Sequence, residues 1–258
     1  MEYTIKELGE FKYIEEGEGE ILLLLHGLFG ALSNFGGIIE RFKPNYKVIV
    51  PVLPIYTAPV REISVDYMMR YAVDFLKEKG YFGQKMNVLG NSLGGHVALF
   101  LTLEYPELVK SLTLTGSSGL FENTLGDTFP KRQNYQFIQR KTEYTFYDPN
   151  VATKELVDDL FEIVNNNDKA MRVVAIARSA IRDNVENKLH NITCPTLLIW
   201  GKQDRITPPF VGEDFHKGIK NSQLTYINRC GHAPMMERPD EFNMALGKFL
   251  ENVNRYHA

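Results

Sequence analysis

The sequence predicts an α/β fold, a mostly parallel sheet flanked by helices, and three observations carry the prediction. Short apolar runs bounded by turn residues alternate with stretches of helical periodicity along the 258 residues. The hexapeptide Gly90-Asn91-Ser92-Leu93-Gly94-Gly95 joins one such run directly to a helical stretch. Asp204 and His232 each stand in a turn just after a later apolar run. Strands that alternate with helices pair in parallel through right-handed crossovers, and side chains at their carboxyl ends converge on one rim.

The elements read in order as follows. An edge strand is expected around 11–15, followed by buried strands at 21–25, 47–52, 86–90, 112–116, 196–200 and 223–228. Ile21-Leu22-Leu23-Leu24-Leu25 has no polar alternation, as a strand covered on both faces should. The stretch 64–79 carries apolar residues at 65, 68, 69, 72, 73, 75 and 76, one helical face for packing on the sheet. A helix containing His96-Val97-Ala98-Leu99-Phe100 follows Ser92, Pro208 and Pro209 start another, and 239–253 forms the last. Between the strand ending near Thr115 and the one starting near Thr196 lie about 80 residues. A crossover needs only ~10–12, so this is an insertion, with helices expected at 153–165 and 167–182. Its first part is rich in aromatics: Phe121, Phe129, Tyr135, Phe137, Tyr144, Phe146 and Tyr147. No internal repeat or low-complexity tract interrupts the pattern.

Composition fits one catalytic unit with a large core. Hydrophobic residues make up 44% and charged residues 24%, ordinary for a globular chain. A net charge of −3 with scattered Lys and Arg gives no basic stripe, so neither nucleic acid nor an anionic membrane is an expected partner. The longest purely apolar run is far short of the ~20 residues that span a bilayer. Met1-Glu2-Tyr3-Thr4-Ile5-Lys6-Glu7 lacks the charged-then-apolar form of a signal peptide, and two cysteines without a C-x-x-C pattern suit a reducing compartment. A cytoplasmic monomer or homodimer acting on a small molecule is expected, with no metal and no organic cofactor.

Written as G-x-S-x-G between strand and helix, 90–95 is the pattern that holds a serine on a strained turn at the sheet edge. A serine hydroxyl needs a base to take its proton, and the base needs an acid to fix its tautomer. His232 and Asp204 fill those roles, and the chain order Ser92, Asp204, His232 is the one expected for strand-turn-helix serine hydrolases. His26 reads instead as a backbone-bonding turn residue, and His96, His190, His216 and His257 as core or surface histidines. Cys230 is set aside as a nucleophile because it lacks the elbow geometry. The oxyanion of an acyl-transfer transition state needs two N–H donors. One is expected from Leu93, the residue after the nucleophile, and the other from Leu28 or its alternative Phe29, in the turn His26-Gly27-Leu28-Phe29-Gly30.

These four motifs, in this order, resemble the α/β-hydrolase fold superfamily over about residues 10–255. The resemblance implies an eight-stranded sheet with a helical cap inserted between the sixth and seventh strands: a core of 1–116 and 191–258, and a cap of 117–190. Asn91, the Ser33-Asn34-Phe35 stretch and the segment from Gly231-His232 to Asp240-Glu241-Phe242-Asn243 resemble the meta-cleavage-product, carbon-carbon bond hydrolases within it. Ala233-Pro234 replaces the large aromatic which that family has after its Gly-His pair. No cap arginine for a substrate carboxylate singles itself out among Arg132, Arg140, Arg178 and Arg182. The expected activity is therefore hydrolysis of a small, largely apolar carboxylic ester through an acyl-enzyme. Carbon-carbon hydrolysis is the alternative, and a receptor-like binding module with little turnover is a reading from another class. Members with a nucleophilic aspartate are disfavoured because position 92 is serine. The expected pocket residues are Phe29, Asn91, Phe121, Phe137, Tyr144 and Phe146. The proline-rich loop Pro51–Pro59 departs from the usual Asp- and Gly-containing one and reads as a stiff rim, with Tyr56 as a possible lining residue.

Overall fold

The computed structural model describes residues 3–30, 35–123 and 131–257. Ser33, Asn34 and Phe129, named above, lie outside the described residues. Eight strands form one sheet: β1 (Lys6–Leu8), β2 (Phe11–Glu16), β3 (Glu20–Leu25), β4 (Tyr46–Pro51), β5 (Met86–Asn91), β6 (Val109–Thr115), β7 (Thr196–Gly201) and β8 (Ser222–Ile227). Their spatial order is β1-β2-β4-β3-β5-β6-β7-β8. β2 is antiparallel to both β1 and β4, and the remaining pairs are parallel. The three-residue β1 was not read from the sequence, because a short exposed strand leaves no apolar run to see.

Successive side chains on a strand point to opposite faces, and this alternation splits the core into two layers. On β3, Ile21, Leu23 and Leu25 join one buried cluster while Leu22 and Leu24 join the other. On β7, Leu198 and Trp200 go to the first, Leu197 and Ile199 to the second. The first layer is covered by α2 (Val65–Glu78), α3 (Leu93–Glu104) and α7 (Pro209–Gly218). The apolar face expected on α2 is the face that is buried: Val65, Met68, Met69, Ala72, Val73, Phe75 and Leu76. Ser64 caps its start, accepting from the Tyr67 N–H at 3.0 Å. The second layer is covered by α1 (Gly36–Phe42) and α9 (Pro239–His257), which place Ile38, Ile39, Phe42, Phe242 and Leu246 against the sheet. Each such side chain contributes roughly 1.5–3 kcal/mol by leaving water.

Between β6 and β7 the chain runs through α4 (Tyr135–Thr145), α5 (Lys154–Asn165) and α6 (Asn167–Arg182). The latter two match the helices expected in the insertion, whereas α4 was read only as an aromatic-rich segment. Asn134, Thr153 and Asn166 cap the three helix starts through their side chains. The short α8 (Pro234–Glu237) precedes α9. Among the described residues no helix is long and apolar enough to cross a membrane.

Candidate active site

Ser92 has φ 54° and ψ −120°, a left-handed conformation at the junction of β5 and α3. A non-glycine residue there costs on the order of 1–3 kcal/mol, so its surroundings must hold it. The Ser92 N–H donates to Thr115 O at 3.1 Å, and Ser92 O accepts from the N–H groups of Gly95, His96 and Ser118 at 2.9, 3.2 and 3.2 Å. The elbow also depends on close approach: a Cβ on Gly94 would stand 2.0 Å from Leu25 O on β3. Position 94 therefore tolerates glycine alone.

The turns after β7 and β8 bring the next two groups together. The Asp204 carboxylate is buried, with Oδ1 accepting from the Ile206 and Thr207 N–H groups at 2.8 and 3.0 Å. Its Oδ2 accepts from the Thr207 hydroxyl at 2.9 Å and from His232 Nδ1 at 2.9 Å. A carboxylate accepts only, so the imidazole proton sits on Nδ1 and Nε2 is left as an acceptor. Burial alone would lower the His232 pKa, but the charge and hydrogen bond of Asp204 outweigh it and the net shift is upward. Gly116 allows this packing, since a Cβ there would lie 3.0 Å from His232 Nδ1 in a backbone with φ +51°. The His232 N–H donates to Thr145 O at the end of α4 (3.0 Å), and Asn91 Nδ2 donates to Thr115 O (3.0 Å) and His232 O (3.5 Å).

The turn after β3 closes with Gly30 N–H on Gly27 O at 3.2 Å, which puts Leu28 and Phe29 at its centre. The Tyr56 hydroxyl donates to Leu28 O. Because the C=O and N–H of a trans peptide point in opposite directions, that contact also sets the direction of the Phe29 N–H. His26 is a structural residue of this turn: its buried ring accepts the Leu53 N–H on Nε2 at 3.0 Å and lies 3.0 Å from Gly27 O through Nδ1. Burial lowers its pKa, which keeps it neutral. Cys230 is likewise unsuited to nucleophilic work, because burial and the nearby Glu237 raise its thiol pKa.

Ser92, His232, Asn91, Leu93, Leu28 and Phe29 all line one cavity of about 350 Å³. Its far wall comes from the insertion, where α5 and α6 supply Leu156, Leu160, Ile163, Val173, Ile176 and Ile181, and Phe146 closes one side. The lining is mainly apolar, of the kind that binds small organic ligands. Three expected pocket residues lie elsewhere. Phe121 is exposed and packs on Phe210 with ring centroids 5.4 Å apart, Phe137 stands beside Lys131 and Lys141, and Tyr144 lies under Arg205. Aromatic content marked the right segment but carried no information on side-chain direction. Tyr56 touches the site through its bond to Leu28 and is absent from the lining.

Four residues escaped sequence reasoning. Thr207 holds Asp204, and the spacing Asp-x-x-Thr was a usable signal for it. Glu237 accepts from Gly231 N–H at 2.8 Å and Tyr147 N–H at 2.7 Å, tying the His232 loop to the insertion. Ser118 and Glu122, on the loop after β6, face the cavity and left no pattern in the sequence. Of the four arginines considered, Arg178 lines the cavity and is exposed, Arg140 is exposed and outside the lining, Arg132 bonds Asn167 Oδ1 and Arg182 pairs with Asp183.

Comparison with known proteins places this geometry in context. The chain matches the family model described as the alpha/beta hydrolase fold over residues 20–239. It is similar to a 2-hydroxy-6-oxo-6-phenylhexa-2,4-dienoate hydrolase of Comamonas testosteroni, 28% identical with 95% of this chain and 93% of that one covered. It is also similar to Lipase 1 of Psychrobacter immobilis, 29% identical with 92% and 80% covered. Among solved structures it resembles MGS-MChE2, an alpha/beta hydrolase enzyme from the metagenome of lagoon sediments at Mar Chica, Morocco. That pair has a TM-score of 0.81 and 39% identity, with 97% of this chain and 99% of the other covered. With the family model matched over most of its length, and with a serine elbow, a carboxylate-held histidine and an eight-stranded sheet, the chain is an enzyme of the α/β hydrolase fold family.

Proposed function

We propose that the protein is a serine hydrolase that cleaves a small, largely apolar carboxylic ester through an acyl-enzyme. The observation that carries the reading is one apolar cavity with Ser92 and His232 on its wall and the Asp204–His232 pair buried behind. In this mechanism His232 Nε2 takes the Ser92 proton as Oγ attacks the carbonyl carbon. Asp204 fixes the imidazole and stabilises the imidazolium, and the oxyanion is held by the Leu93 N–H with that of Leu28 or Phe29. The imidazolium returns its proton to the leaving alcohol, and water, activated by the same base, cleaves the acyl-enzyme. The helices α4, α5 and α6 serve as a cap that shapes the acyl site and excludes water.

Carbon-carbon hydrolysis remains a second reading, supported by Arg178 on the cavity wall, where a cation could meet a substrate carboxylate. The small Ala233 after His232 and the predominantly apolar lining favour the ester. Hydrolysis of a p-nitrophenyl ester panel tests the proposal. Ser92→Ala should abolish turnover and block labelling by a fluorophosphonate probe, while turnover retained by that variant would assign the chemistry to another nucleophile. A wild-type chain that binds esters without cleaving them would return the protein to the receptor-like class.

A further inference from the structure

Resting on that serine-hydrolase reading, we propose that Glu237 is a positioning residue for His232: its carboxylate clamps the 231–232 turn to the end of α4 and so keeps the imidazole in place for Ser92. One carboxylate is shared between two segments distant in the chain. Its Oε1 accepts from Gly231 N–H at 2.8 Å, and its Oε2 from Tyr147 N–H, 90 residues away, at 2.7 Å. Between those two bonds lies a third, from His232 N–H to Thr145 O at 3.0 Å. Glu237 therefore braces both partners of the bond that fixes the His232 backbone.

The seam is a built contact. A Cβ at position 231 would stand 2.6 Å from Thr145 O and 2.9 Å from Tyr147 N, so only glycine lets the two segments approach this closely. Burial raises the Glu237 pKa, and the N–H groups of Tyr147, Gly231, Asp148 and Ala233 draw it back. A carboxylate suits this place because both of its oxygens only accept, as N–H groups on two sides require. Glutamine would satisfy one side and set its NH₂ against the other.

The ring of His232 has a separate hold. Asp204 Oδ2 meets it at Nδ1 from the turn after β7. A ring held at that one atom still lets Nε2 swing when the backbone shifts, and a displacement of 1 Å costs on the order of 10²-fold in rate. Glu237 is absent from the cavity lining, so it acts on the chemistry through His232 alone.

The test pairs steady-state kinetics on p-nitrophenyl butyrate with the rate of fluorophosphonate labelling, which reads activation of Ser92 without turnover, all well below each melting temperature. Glu237→Ala should lower kcat roughly 10²-fold and slow labelling in parallel, with KM changed less than about threefold. Glu237→Gln, which keeps one acceptor oxygen, should recover part of both rates. Val253→Ala, buried on α9 in the second core layer, controls for lost stability and should leave both rates unchanged. Rates within about twofold of wild type in folded Glu237→Ala, or an equal slowing in Val253→Ala, overturn the clamp. If Glu237→Ala does not fold, Glu237→Gln and Tyr147→Pro decide by the same criterion. The proline removes the N–H that Oε2 accepts, and Phe146 before it already has the extended backbone (φ −106°, ψ 158°) that a proline prefers there. A wild-type chain that the probe does not label overturns the serine-hydrolase reading and the clamp with it, whereas a labelled wild type with unmoved variants overturns the clamp alone.

Discussion

Replacing Tyr56 by Phe removes one oxygen atom and tests whether the turn after β3 is held in place for chemistry. The phenol donates to Leu28 O, in the peptide that carries the Phe29 N–H, while the ring packs against the first core layer. Phe keeps the ring and its packing. Two costs are expected. The lost hydrogen bond is worth about 1 kcal/mol of stability, because Tyr56 is half-buried and water can satisfy the freed carbonyl in part. The cost in rate has an upper bound in the loss of a whole oxyanion donor, roughly 2.7–4 kcal/mol or 10²–10³ in kcat. Tyr56 acts only through the backbone it holds, so a loosened donor should cost about tenfold in kcat, near 1.4 kcal/mol. KM should change little, since the donors are aimed at the oxyanion and not at the ground-state carbonyl. Steady-state kinetics on p-nitrophenyl butyrate, paired with thermal unfolding, measures both costs. Tyr226→Phe is the control: its hydroxyl also donates to a backbone carbonyl, Pro209 O at 3.1 Å, but it lies outside the cavity lining. A kcat within twofold of wild type in Tyr56→Phe, or the same drop in both variants, would refute a positioning role.

Two more perturbations probe other parts of the site. Because His232 must be neutral to accept a proton and its pKa lies above the ordinary 6.5, kcat/KM should fall as pH drops, with its midpoint above pH 6.5. Asp204→Asn removes the charge that raises that pKa, so it should move the limb to lower pH and reduce kcat by roughly 10⁴. An unmoved limb would show that another group titrates. Ile176 is fully buried on α6 and lines the cavity, so Ile176→Ala should cost roughly 2–5 kcal/mol, lower Tm by roughly 4–20 °C and shift preference toward longer acyl chains. An unchanged chain-length profile would place the acyl site away from α6.

The candidate triad residues were legible because each follows an apolar strand. A run such as Thr196–Trp200 can only be a buried strand, and the residue types after it, Gly201 to Asp204, have few uses besides a turn or a site. The α2 face was legible for a similar reason, since seven apolar residues at helical spacing leave little choice of packing. Elements held by tertiary contacts were harder. α1 starts with Gly36-Gly37, poor helix formers, and exists because Ile38, Ile39 and Phe42 pack against the sheet. α4 buries only Ile138 and Thr142, so its apolar period is weak against a background of aromatics and charges. Glu122 owes its place to anchors at Val185, Asn184 and Ile206, more than 60 residues away along the chain, and Ser118 to a bond across to Ser92 O. No local pattern encodes such contacts.

The two halves of the molecule carry different burdens, and they meet at one seam. Bonds at the strand ends fix Ser92, Asp204 and the turn after β3, through the backbone and through the side chains of Thr207 and Tyr56, while the helices of the insertion set the size and polarity of the cavity. At the seam, Thr145 O holds the His232 N–H, and the Glu237 carboxylate spans Tyr147 N–H and Gly231 N–H. Glu237 pays for its burial with these bonds, since burial raises its pKa and the backbone donors pull it back. His232 is therefore positioned partly by the very segment that shapes the pocket. Side chains on α5 and α6 can change substrate preference without touching this seam, because neither helix supplies a bond to the 231–232 backbone. A displacement of the end of α4 would instead move His232 itself, so selectivity should vary more freely along α5 and α6 than along α4.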